Sequence, residues 1–187
     1  MIRVALPALL VLAFGAASCA TTNGGTPAES PAPTTSPRLS PPLSQPPLDL
    51  TSAKAAPCSL VTDQIRQQFG LIGQGEPDPA GVTGPDCSFT ENPIADPVVV
   101  VGVNTQSQGL EGLYERRENF VDFRPITVNG FPGLSLQQDA GGCGVLVAVT
   151  DEDLTSVDVR AGSAPTTAAS VCDLATRLSS AVIANLS

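Results

Sequence analysis

The spacing of apolar residues changes character several times along the last 137 residues, and each change marks an element. Val61, Ile65 and Phe69 recur every fourth residue, the period of one helix face. Thr62 stands where an N-cap belongs, Asp63 lies in the first turn and Gly70 ends the run, so a short helix is predicted here. Residues 71–85 are rich in glycine and proline and read as a loop. Residues 87–91 and 97–106 follow as strands. The second contains four consecutive valines, Val98 to Val101, a β-branched run typical of a buried central strand.

A second helix is predicted over residues 108–119, with Leu110, Leu113, Tyr114 and Arg117 on one face. Strands 123–128 and 131–138 flank Asn129-Gly130, a strong hairpin signal because a type I′ turn needs two residues at positive φ. A further hairpin joins strands 143–150 and 154–160 around Asp151-Glu152-Asp153. A long helix over 166–186 closes the chain, its stripe formed by Val171, Leu174, Ala175, Leu178, Val182 and Leu186. The order is helix, two strands, helix, four strands, helix. Meandering strands imply an α+β fold, an antiparallel sheet of about five to six strands packed with three helices.

The amino-terminal half-hundred follows other rules. Arg3 precedes an apolar run from Val4 to Phe14, and Gly15-Ala16-Ala17-Ser18 leads into Cys19. Residues 1–18 therefore read as a signal peptide, too short to span a bilayer. Small residues before a cysteine resemble the bacterial lipobox, with Ala16 where leucine is usual. This implies that Cys19 receives lipid and holds the chain to the extracytoplasmic face of the cell membrane. Residues 20–50 include 8 Pro, 4 Ser and 5 Thr and read as a disordered linker. One domain is then expected over 51–187.

Cysteine counting supports this plan. Five cysteines stand at 19, 58, 87, 143 and 172, an odd number for an exported chain. Lipid on Cys19 leaves four. Of their three pairings, Cys58 with Cys87 and Cys143 with Cys172 is favoured, each tying a helix to a strand nearby in the chain. A Cys₄ zinc site is the rival, but it lacks a C-x₂₋₄-C pair.

The cysteines also carry a family resemblance. Pro57-Cys58-Ser59-Leu60-Val61-Thr62, Pro85-Asp86-Cys87-Ser88-Phe89, Gly142-Cys143-Gly144-Val145 and Val171-Cys172-Asp173-Leu174 resemble the actinobacterial lipoproteins grouped as domain of unknown function 3558. The resemblance implies an exported, anchored, disulfide-bonded domain, and it supplies no catalytic residue. A PsbP/Mog1-like architecture is an analogy of fold alone.

Charge and composition narrow the chemistry. The net charge is −9, which argues against nucleic acid and against docking on anionic headgroups. There is no histidine, so the usual Ser-His-Asp and Cys-His arrangements are excluded. Lys54 is the one lysine, which disfavours Schiff-base chemistry. Gly141-Gly142-Cys143-Gly144 precedes a strand, where a phosphate loop would precede a helix. Asp151-Glu152-Asp153 could bind Ca²⁺ through oxygens, but a solvated turn is the simpler reading. Tyr114 with Arg116-Arg117 could meet a partner, or could be a half-buried aromatic beside surface charges. Neither metal nor cofactor is expected. The expected function is a non-catalytic envelope module, tied to the membrane by its lipid and binding a protein, glycan or lipid. The alternatives are a carboxylate-based hydrolase of cell-wall glycans and a structural surface protein.

Overall fold

The computed structural model describes residues 37–90, 97–138, 141–162 and 167–187. The signal segment, Cys19 and the linker as far as residue 36 lie outside the described residues. Seven strands form one antiparallel sheet: β1 (Glu76–Asp78), β2 (Asp86–Phe89), β3 (Val98–Asn104), β4 (Phe123–Val128), β5 (Phe131–Gln138), β6 (Gly142–Ala148) and β7 (Leu154–Arg160). Their order across the sheet is β1-β2-β3-β7-β6-β5-β4. Four helices accompany it: α1 (Thr51–Ala55), α2 (Asp63–Phe69), α3 (Gly109–Glu115) and α4 (Ala168–Leu186), with 3₁₀ turns at Pro57–Leu60 and Arg117–Asn119. The fold is α+β.

Local signals set many of the boundaries. The Thr62 side chain accepts the Ile65 amide at 3.3 Å and opens α2. Gly70, at φ +60°, closes it in the left-handed conformation that favours glycine. Asn129 and Gly130 have φ of 49° and 87°, as a type I′ turn requires. Thr167 and Ser170 form a reciprocal capping box at the start of α4.

One face of the sheet carries the main core. Val99, Val101 and Val103 of β3, Val157 and Val159 of β7, and Val145 and Val147 of β6 all point into it. Ala175, Leu178, Val182 and Ile183 of α4 meet them there, none accessible to solvent. Cys58–Cys87 ties the first 3₁₀ turn to β2, and Cys143–Cys172 ties α4 to β6.

Four features differ from the sequence expectation, the first being that the second helix, expected over 108–119, stops at Glu115 and is followed by the 3₁₀ turn Arg117–Asn119. The sheet gains β1, a three-residue edge strand inside the segment read as loop, pairing with β2 through Pro77 opposite Cys87. Its residues are exposed and carry no apolar alternation, so no periodicity could reveal it. The chain gains α1, whose five residues are too few to show a helical period. Finally, the expected linker over residues 20–50 ends earlier. The compact unit runs from Pro37 to Ser187. Leu50 is buried, Leu43 and Leu48 pack on the core, and the Leu48 amide donates to the Val149 carbonyl at 3.0 Å. Proline content suggested disorder, but three spaced leucines are enough to seat this strap.

Glu111 of α3 clasps the start of the strap. Its carboxylate accepts the Leu39 amide at 2.7 Å, the Ser40 amide at 2.9 Å and the Ser40 hydroxyl at 2.7 Å. These bonds, the Leu39 amide foremost, hold the Glu111 carboxyl below its ordinary value of 4.5. A depressed carboxyl stabilises above its unfolded pKa and loses that contribution as pH falls through the folded one. Glu111→Ala is expected to speed tryptic cleavage after Arg38 several-fold at pH 8. Unchanged cleavage would show that the clasp does not hold the strap.

Candidate functional site

The second face of the sheet is covered only in part, and the site lies there. Leu110 and Leu113 of α3 pack on Leu134, Leu136, Ala148 and Leu154. Helix α3 is placed by Gly109, at φ +66°, where a Cβ would collide with the Asp151 carbonyl. It is only seven residues long and reaches no further. Beyond it, Val98 and Val100 of β3 are half-buried. The four-valine run is central in the sheet, yet only its alternate members are covered.

A recess of about 300 Å³ opens at the edge of this cover. Leu113, Phe120, Leu136 and Leu146 supply apolar wall, and Asn104, Ser107, Ser156, Arg116 and Asp158 supply polar groups. Val82 lines it as well. Val82 is 92% exposed, so the loop at residues 82–83 gives the recess an apolar lip.

Asp158 is the acid of the recess. In the strand register it lies between Val100 of β3 and Gly144 of β6. A Cβ on Gly144 would come within 2.8 Å of its Oδ1, so glycine lets the carboxylate lie against the sheet. The Gln138 amide donates to Oδ1 at 2.6 Å. Burial raises the Asp158 pKa above 3.8; the Gln138 bond and the Arg160 charge oppose this, and Asp86 adds to it. Asp86, also half-buried, is itself raised by burial and then by Asp78. The Ser107 hydroxyl is buried and has no hydrogen-bond partner among the described residues, an arrangement that costs free energy unless something fills it.

The other residues singled out from the sequence do not join this site as a catalytic group. Tyr114 packs edge-on to Phe123 at 5.0 Å between ring centroids. Arg116, which lines the recess, donates to the Gly112 and Ser107 carbonyls, and Arg117 donates to the Tyr114 carbonyl of its own helix. Asp151 pairs with Arg38 at 3.3 Å and Asp153 with Lys54 at 2.6 Å, and the Thr150 hydroxyl accepts the Glu152 and Asp153 amides. Among the described residues no three potential metal-ligating side chains converge. Gly141, at φ +78°, leads straight into β6. The sequence reading missed Asp158 and Ser107. A polar residue between Val157 and Val159 is what any half-exposed strand carries, and nothing local distinguishes Asp158.

A family comparison fits this frame. The model of the family described as Protein of unknown function (DUF3558) matches residues 14–185. The chain belongs to that family. The match spans all four cysteines of the two disulfides and the whole of the DUF3558 sheet. No curated protein and no solved structure matches the chain. Among the described residues no helix is long and apolar enough to cross a membrane.

Proposed function

We propose that this DUF3558 chain is a cell-envelope lipoprotein, held to the outer face of the plasma membrane through lipid on Cys19, whose domain binds a small molecule and performs no reaction on it. The observation that carries the binding role is the recess on the half-covered face. It combines apolar wall, a half-buried carboxylate and a buried hydroxyl without a partner, the mixture that ligand sites use. The exposed Val82 at its lip favours an amphiphilic ligand. The glycan-hydrolase alternative needs two carboxyl groups flanking one bond. Asp158 is the single carboxylate among the described residues that line the recess, which favours binding.

The anchor has support from the small residues before Cys19, from the even cysteine count left when Cys19 is set aside, and from the run of residues 20–36 between Cys19 and the domain. Cys19→Ala is expected to move the protein wholly from membrane to soluble fractions and to abolish labelling by radioactive palmitate. Equal labelling of the two proteins would refute the anchor. For the binding role, protein purified from its own envelope is denatured and the released small molecules are read by mass spectrometry. An amphiphile present with the wild type and absent with Leu146→Trp, which fills the recess, is the expected result. No difference between the two samples would remove the recess as a ligand seat.

A further inference from the structure

Asp158 is a carboxylate with an incomplete set of partners. Gln138 is its hydrogen-bond donor among the described residues, and none of the six ion pairs there includes it. A buried or half-buried carboxylate without a counter-ion is costly, and a cation brought to it recovers that cost. Of the charges around it, that of Asp86 points the same way and that of Arg160 opposes it. Asp86 adds negative potential. Arg160, two residues along β7, is exposed and makes no ion pair with Asp158. Arg116 spends its guanidinium on the Gly112 and Ser107 carbonyls at 2.9 and 3.1 Å. Arg116 lines the recess without an ion pair among the described residues, but its guanidinium is held by those two carbonyls, so an anionic head placed against Asp158 and Asp86 meets repulsion.

We propose that the recess takes the ammonium head of a small single-chain amphiphile, with Asp158 as counter-ion and Leu113, Phe120, Leu136 and Leu146 around the alkyl chain. An ammonium has three N–H donors, and one of them serves the Asp158 oxygen that Gln138 leaves without a donor among the described residues. The four apolar side chains enclose the tail by the ordinary hydrophobic effect. A recess of about 300 Å³ lies at the lower end of ligand sites and suits one chain. The assignment rests on the recess being the ligand seat, and names the chemistry of what sits in it.

The test uses octylamine, 1-octanol and octanoate at pH 7, each titrated calorimetrically into the oxidised full chain carrying Cys19→Ala, so that no acyl chain of its own competes. Octylamine is expected to saturate a single site and to bind about tenfold or more tighter than 1-octanol, because a hydrogen bond to a charged group exceeds a neutral one by that margin. Octanoate is expected not to saturate. Asp158→Asn should weaken octylamine by about the same factor and leave 1-octanol unchanged. Leu146→Trp should abolish both while the thermal melt is retained. Methyl NMR shifts of Leu113, Leu136 and Leu146 locate the site without mutation, which covers the case of a misfolded tryptophan variant. Binding of 1-octanol or octanoate in the recess as tight as octylamine would overturn the ammonium assignment and leave the seat standing. Binding of none of the three would overturn both.

Discussion

Replacing Cys143 and Cys172 together by alanine is expected to lower the unfolding free energy by roughly 3.5 kcal/mol, from the loop-entropy relation for a closed loop of this size. The bond joins residues 29 apart, so its loss frees a long loop in the unfolded chain. Native packing adds to the effect. Cys143 is wholly buried in the centre of the sheet, and Cys172 lies in the second turn of α4. The bond therefore holds the start of the helix that packs on β4 to β7. Domains of this kind have only about 5–15 kcal/mol in total, so a large part of the margin goes. Urea unfolding of both proteins under non-reducing conditions measures it. A loss below about 1 kcal/mol would mean that the unfolded chain stays compact without the bond. The Cys58–Cys87 loop has the same separation and should give a similar entropic loss.

Leu178→Ala should cost about 3–4 kcal/mol, within the range for buried leucine truncations. Leu178 has no exposed surface and sits midway along α4, with Ala175, Val182 and Ile183 equally buried around it. Opposite it lie the valines of β6 and β7. These are β-branched and stiff at χ1, so they cannot swing into the space left behind. Leu174, on the same helix but only partly buried, is the control and should cost clearly less on truncation. Equal losses at the two positions, measured by thermal or urea unfolding, would show that α4 is not seated through Leu178.

Both expectations rest on features that can be read locally. Apolar residues spaced three and four apart from Val171 onward place α4 and choose its buried side, though Ile183 joins the buried set without standing in the expected stripe. Thr62, Gly70 and Asn129-Gly130 act within a few residues of themselves, through a side-chain cap or a permitted φ. Such signals survive in the bare sequence because their causes lie next to them in the chain. The two cysteine pairs are legible for a related reason: each bond closes within one stretch of the fold.

What the sequence by itself determined is therefore the α+β class, six of the seven strands, the three longer helices and the side that α4 buries. Only the tertiary structure decided which elements meet across long stretches of chain. The neighbour of β3 is β7, with Val101 opposite Val157, a pairing fixed by burial of a common face and by no local motif. The strap from Pro37 is held by Glu111 and by the groove its leucines enter, both supplied by residues far along the chain. The same holds at the recess. A seven-residue α3 covers part of the second face and stops, and Asp158, polar in a strand of alternating character, becomes half-buried because Gly144 beside it has no side chain and Gln138 reaches across from β5. Desolvation depends on what surrounds a group in space, so the chemistry of that carboxylate emerges only when the sheet is assembled.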